Sequence, residues 1–199
     1  LASPGIVRLK QSAAREAARP PGMGLSLCLA ISLSLCLAAA RTGFAAAGGE
    51  RAAIATGHPL ATDAALRTFE RGGNAIDAAV AAALTLGVVD GHNSGIGGGC
   101  FMLIRLAGGE CVALDGREMA PAAATRDMFL RGGKADPRLS QIGALAAGVP
   151  GSLAVYDLAV ARYGRLPLRE QLLAAARLAE DGFVLSRSYA ARLRETAPD

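Results

Sequence analysis

The stretch Ala75–Val89 carries one charged side chain, Asp77 in its first turn, and is otherwise built of alanine, branched apolar residues, Thr85 and Gly87. Read as a helix it has no polar face, so it must be covered on several sides. At about 15 residues it is shorter than the roughly 20 needed to cross a bilayer, and a core helix is the expectation. Asn74 is a good N-cap, and Asp77 three residues on completes a capping-box-like exchange while favouring the positive end of the helix. A chain with such a helix needs other layers to bury it.

The neighbouring segments supply them. Ala52–Gly57 reads as a short strand broken by His58-Pro59, and Leu60–Arg71 as a helix closed by Gly72-Gly73. After the central helix come Gly95, Gly97, Gly98 and Gly99, expected to allow a sharp turn or a close backbone approach. Phe101–Leu106 and Cys111–Asp115 are apolar on both alternating faces, which predicts strands buried on both sides. Gly108-Gly109 between them marks a hairpin. Arg117 follows the second strand, beside Gly116, where a guanidinium projects past a sheet end and can hold a carboxylate bidentately.

The order helix, glycine turn, strand excludes a dinucleotide fingerprint, which needs strand, turn, helix, and no Gly-Lys-Ser/Thr follows to make a phosphate loop. Beyond Pro121 the pattern predicts a short helix over Ala124–Leu130, a polar surface loop over Arg131–Arg138, and an extended run over Gln141–Val149. Ser152 is expected to cap a helix to Tyr163. Leu168–Asp181 is an amphipathic helix stopped by Gly182, and Ser186 or Ser188 opens a last one. A buried helix and hairpin followed by a run of helices is α/β layering with an antiparallel element.

Residues 1–47 read differently. Arg8, Lys10, Arg15 and Arg19 precede the apolar run Leu25–Ala40, and Ala45-Ala46-Ala47 follows, as in an export leader with its cleavage site. The run is short for a span, so a cleaved leader is expected rather than an anchor, with Met23 a candidate start and a periplasmic or secreted product. Bulky Leu27 and Leu35 before Cys28 and Cys36 speak against a lipoprotein. Of 21 basic residues five lie in this stretch, and of 17 acidic ones only Glu16, so the remainder balances at 16 against 16. The basic character belongs to the leader and marks no nucleic-acid or membrane surface. Cys100 and Cys111 remain. A turn centred on Ala107–Gly109 pairs residues whose numbers sum to about 216, which sets Cys100 opposite residues 115–117 and away from Cys111. Two small hydrophobes are expected instead of a disulfide.

Three motifs in order carry a resemblance: Gly72-Gly73-Asn74-Ala75-Ile76-Asp77-Ala78-Ala79, then Ser94-Gly95-Ile96-Gly97-Gly98-Gly99, then Asp115-Gly116-Arg117-Glu118-Met119-Ala120-Pro121. Together, within residues 52–199, they resemble the gamma-glutamyltransferase (gamma-glutamyltranspeptidase) family. The resemblance implies an N-terminal nucleophile hydrolase with an αββα sandwich, of which residues 48–199 form the front half within the large subunit. It implies an exported precursor that cleaves itself, the new N-terminal threonine of the small subunit being nucleophile and, through its amine, general base. The gamma-glutamyl group of glutathione or a related amide would pass to that threonine and then to water or an acceptor amine.

Arg117 matches the family arginine that grips the α-carboxylate of the gamma-glutamyl moiety. The residues alone leave open a structural ion pair with Glu118, Asp115 or Glu110. The resemblance implies no cofactor and no metal, and the nucleophile and the rest of the pocket are expected beyond Asp199, leaving no catalytic residue here. His58 and His92 stand 34 positions apart without partners at metal-ligand spacing. Ser94 lacks the strand–turn–helix of a nucleophile elbow. Asp115 and Glu118 are expected to order Arg117, and Gly97–Gly99 to serve close packing. The expected partners are a gamma-glutamyl peptide and a small subunit of the same precursor. Alternatives are a cephalosporin-acylase-like or polyglutamate-processing relative, and a binding protein that keeps Arg117 without turnover.

Overall fold

A computed structural model describes residues 52–196, together with the backbone of 5–9 and 45–48. In chain order the elements are β1 (Gly5–Leu9), β2 (Ala45–Gly48), β3 (Ala53–Thr56), α1 (Pro59–Glu70), α2 (Ala75–Val89), β4 (Cys100–Arg105), β5 (Cys111–Gly116), β6 (Leu130–Arg131), β7 (Lys134–Ala135), α3 (Ser152–Tyr163), α4 (Leu168–Asp181) and α5 (Arg187–Thr196). β1 and all of β2 but Gly48 fall within the stretch read as a leader, pairing antiparallel with β5 and β3 respectively. The apolar run Leu25–Ala40 lies outside the described residues.

The boundaries of α1 and α2 follow from their caps. His58 is the N-cap of α1, its ring Nδ1 accepting from the Leu60 amide at 3.2 Å. At the other end Gly72, with φ 86°, turns the chain so that its amide reaches Phe69 and that of Gly73 reaches Thr68, the paired bonds of a Schellman stop. Asn74 then opens α2 with the expected capping box. Its Oδ1 accepts from Ile76 and Asp77, and Asp77 Oδ2 accepts from Asn74 at 2.8 Å.

Helix α2 is central, as its composition requires. On one side its alanines Ala78 and Ala82 meet Ala61 and Ala65 of α1, all buried, a contact that only small side chains permit. On the other, Val80 and Leu84 join Ile104, Val112 and Leu114 of the sheet and Val155, Tyr156 and Ala159 of α3 in the main core. Burying such side chains stabilises the fold by about 1.5–3 kcal/mol each.

The β4–β5 hairpin has the predicted register: Cys100 faces Gly116 and Cys111 faces Arg105. Gly109, at φ 87°, makes the turn. Both cysteines are free and half-buried. The strands, however, are not buried on both sides. Met102, Ile104, Val112 and Leu114 look toward the helices, whereas Phe101 and Leu103 on the opposite face are 69% and 70% exposed. Their apolar character belongs to a sandwich face, which one helical layer cannot cover.

Two further expectations fail. Ala124–Leu130 forms no helix but successive turns, closed by bonds from Ala124 to Pro121, Met128 to Thr125 and Leu130 to Asp127. Gln141–Val149 is not extended throughout; Ala144–Ala146 is a short 3-10 turn.

Asp77 has a second role that a capping box does not suggest. It is fully buried, and its carboxylate also accepts from Arg165 at 3.0 and 3.1 Å and from Leu166 at 3.3 Å, in the α3–α4 turn. Asp77→Asn turns an NH2 toward these amides and removes the charge. The expected loss of unfolding free energy is about 3 kcal/mol. A urea titration showing a change below about 1 kcal/mol would refute a clamp of this kind.

Candidate functional site

The ends of β5 and α3 meet where the chain leaves the sheet. Gly116 and Gly151 cross so closely that a Cβ on either would collide with the other's backbone, and one on Gly116 would also strike Val155. Only glycine fits at this crossing. One residue on, Arg117 is exposed, and its backbone N–H donates to Asp115 Oδ1 at 3.0 Å. Among the described residues its guanidinium has no carboxylate within ion-pair distance. Asp115 therefore sets the backbone of Arg117 rather than neutralising its cation.

Glu118 turns the other way and lies against the glycine loop. A Cβ on Gly99 would sit 2.6 Å from Glu118 Oε2 and 2.7 Å from its amide nitrogen. The carboxylate forms a wall shared by two cavities. One, of about 400 Å³, is bordered by Arg117, Glu118, Met119, Met128, Phe129 and Leu145. The other, of about 570 Å³, runs along Asn93, Ser94 and Gly95 to the glycines and Cys100, with Tyr156 behind.

The glycine loop is fixed by α3. The carbonyl of Gly98 accepts from the amides of Gly151 (3.1 Å) and Ser152 (3.2 Å) and from Ser152 Oγ (3.1 Å). Ser152 is thus not the side-chain cap of α3, as its position suggested; its hydroxyl reaches a loop 54 residues earlier. None of Gly95, Gly97, Gly98 or Gly99 has positive φ. The loop does not need glycine for a left-handed turn, and close approach explains Gly99 alone. Gly95 and Gly97 have open space where a Cβ would be.

The remaining candidates resolve into structural roles. His92 Nδ1 stands 3.2 Å from Asp90 Oδ1, and its ring stacks on Tyr189 of α5 at 5.1 Å. His58 is the cap described above. Ser94 lines the larger cavity with no histidine bonded to it. Sequence reasoning missed Ser152 and Tyr156, which converge with Cys100 behind the loop; Pro150-Gly151-Ser152 advertises a helix start but not its distant partner.

Burial pushes the Cys100 thiol above its ordinary value of 9.0, outweighing the opposing hydrogen bonds to the Ser152 and Tyr156 hydroxyls. Burial also raises Tyr156 above 10.0, and the adjacent Cys100 adds to the rise. Both groups are neutral near pH 7, and Cys100 is a poor nucleophile there.

A family model described as Gamma-glutamyltranspeptidase matches residues 61–199. The glutathione hydrolase proenzyme of Escherichia coli (strain K12) is 43% identical over 142 residues, 71% of this chain and 24% of that protein. The Acylase ACY 1 proenzyme of Pseudomonas sp. (strain SE83) is 41% identical over 160 residues, 77% of this chain and 29% of that one. The crystal structure of Helicobacter pylori gamma-glutamyltranspeptidase matches with a TM-score of 0.68 at 46% identity, covering 72% of this chain and 41% of that chain. The fold is accordingly that of an N-terminal nucleophile hydrolase, of which this chain carries a part. The chain belongs to the gamma-glutamyltranspeptidase family. It spans about a quarter of the length of the curated relatives it matches.

The raised pKa values of Cys100 and Tyr156 fix a sign. Groups whose folded pKa exceeds the unfolded one contribute stability that is intact below the unfolded value and lost as pH climbs through the folded one. Between pH 8 and 11 the double variant Cys100→Ala/Tyr156→Phe should lose less thermal stability than the parent, measured as the fall in Tm over that range. An equal fall in both would contradict the burial of the two groups.

Proposed function

We propose that the chain is the front part of the large subunit of an exported gamma-glutamyl transferase or hydrolase, acting on glutathione and related gamma-glutamyl amides in the periplasm or outside the cell. The observation that carries this reading is Arg117. It is an exposed cation at a strand end, its backbone held by Asp115, with no ion pair among the described residues, on the border of a cavity. A planar fork so placed suits the α-carboxylate of a gamma-glutamyl group. The family membership and the name of the Escherichia coli relative, a proenzyme, support a precursor that splits into two subunits.

In this mechanism the nucleophile is a threonine hydroxyl at the new N-terminus of the small subunit. Its oxygen attacks the γ-carbonyl carbon while its own α-amine takes the hydroxyl proton and delivers it to the departing amine. A gamma-glutamyl ester on the threonine results. Water, or an acceptor amine, then attacks the ester carbonyl and regenerates the hydroxyl. Arg117 touches none of the bonds that change. It positions the γ-carbon by gripping the far carboxylate, so its removal weakens binding more than it slows chemistry.

The likeness to the Acylase ACY 1 proenzyme favours a second reading, an acylase taking another carboxylate-bearing acyl group, for which glutaryl is a probe. Glutaryl keeps the carboxylate for Arg117 and lacks only the α-amino group. Comparing hydrolysis of gamma-glutamyl and glutaryl anilides by the full-length protein separates the two.

In the full-length protein, Arg117→Ala should raise KM for gamma-glutamyl-p-nitroanilide about 100-fold, the scale of a lost charge-assisted bidentate contact, with kcat reduced far less. Release of p-nitroaniline and a two-band denaturing gel are the readouts. An unaltered KM would remove Arg117 from the substrate site. An intact chain that binds gamma-glutamyl peptides without turnover would leave a binding protein.

A further inference from the structure

The segment between Arg117 and α3 leaves the sheet and returns to the point of departure. Met119 and Val149 clasp each other through two backbone hydrogen bonds, of 3.2 and 2.8 Å. The roughly 30 residues between them contain almost no regular structure, and excursions of that length in compact domains are characteristically functional. This one is held by its own contacts. β6 pairs with β7, the Asp136 amide reaches Phe129 at 2.9 Å, and Arg131 Nε lies 3.3 Å from Asp136 Oδ2. Yet Met119, Ile142 and Leu145 are 54%, 65% and 46% exposed. Side chains of this kind gathered on a self-supporting loop mark a surface kept for a ligand or partner.

The cavity beside Arg117 is where part of that surface converges. Met119 and Pro121 enter from the outgoing strand of the excursion, Met128 and Phe129 from its turns, and Leu145 from the returning side. Among the residues that line it, Arg117 and Glu118 are the only charged ones, both at the sheet end. Its volume of about 400 Å³ is that of a small-molecule site. A cation at one end and an apolar bed beyond it fit a molecule that joins a carboxylate to an apolar group. The glutamyl part, with its ammonium and carboxylate, cannot desolvate against Phe129 and Leu145. The amine on the other side of the scissile amide can.

We propose that Met119, Met128, Phe129 and Leu145 form the leaving-group half of the donor site and select gamma-glutamyl amides of apolar amines. This rests on the reading of Arg117 as the carboxylate anchor. The apolar amine packs on Phe129 and Leu145 while the γ-carbonyl lies between this bed and the end of the sheet. Met119 and Met128, flexible and polarisable, let the bed accept side chains of different shape. The bond between the γ-carbonyl carbon and nitrogen breaks as the threonine ester forms, and the amine leaves with the proton it has received.

The test uses the full-length, processed protein and the gamma-glutamyl amides of methylamine, butylamine and hexylamine, whose matching basicities hold the leaving-group chemistry constant. Each added methylene should raise kcat/KM about twofold to fourfold over the first steps, and hexylamide should exceed methylamide at least 20-fold. Leu145→Ser and Phe129→Ser should each reduce that ratio at least fivefold. Leu145 is exposed enough for its variant to fold, so the result does not depend on Phe129 alone. Lys134→Ser, on the same excursion but away from the cavity, should keep the parent ratio. A parent ratio within twofold of unity, with turnover intact, overturns the proposal and means that another part of the protein fills the cavity. A steep ratio that neither substitution alters overturns it as well. Failure to turn over any of the amides, or gamma-glutamyl-p-nitroanilide, removes the gamma-glutamyl reading itself and this proposal with it.

Discussion

The carboxylate of Asp77 is the interaction on which the rest of the arrangement depends. It is fully buried and is met by the amides of Asn74, Arg165 and Leu166. A buried ion is unfavourable unless its oxygens are satisfied. Here the donors are backbone groups fixed in place, and the start of α2 adds its positive end. The Asn74 side chain completes the arrangement by donating to the Tyr163 carbonyl at 2.5 Å. Two parts of the chain nearly 90 positions apart are thereby held in one register, with Gly164 admitted because a Cβ there would press on Asp77. The central helix cannot move without moving the α3–α4 turn.

That register is transmitted to the site. Helix α3 ends at the turn held by Asp77 and begins at Gly151 and Ser152, whose donors hold the carbonyl of Gly98. The same start crosses Gly116, one residue before Arg117. The glycine loop, the Glu118 wall and the arginine are therefore set by one helix anchored at both ends. Much of this is backbone contact, which tolerates little displacement. The backbone that carries the Arg117 cation is thereby held in place, while its side chain stays exposed.

The legible parts were those governed by local rules. The capping box at Asn74, the glycine stop after α1 and the hairpin register were all visible, because each is decided by residues within a few positions. The illegible parts were decided at a distance. Asp77 looked like a cap and is also a clamp, and Ser152 looked like a cap and instead holds Gly98. The glycines of the loop suggested a sharp turn or a close approach; close approach to Glu118 accounts for Gly99, while a Cβ on Gly95 or Gly97 would meet nothing within the described residues. Ala124–Leu130 has helix-forming composition, but it lies in an excursion with no apolar layer against which a short helix could settle. For Arg117 the motif suggested a role and the structure supplied the surroundings; spacing alone could not tell an exposed cation from half of an ion pair.

The misreading of the hairpin as doubly buried has a more specific physical content. Phe101 and Asp115 face each other across β4 and β5, on the side turned away from the helices. In a sandwich of two sheets this side is interior, with the second layer about 10 Å away. Asp115 is also the residue whose Oδ1 accepts from the Arg117 amide. Covering Phe101 and Leu103 lowers the dielectric around that hydrogen bond and strengthens it. The exposed apolar sheet face and the strand end that carries the cation thus share one carboxylate. The apolar pattern that overstated the burial of these strands marks the sheet face that adjoins the strand end carrying Arg117.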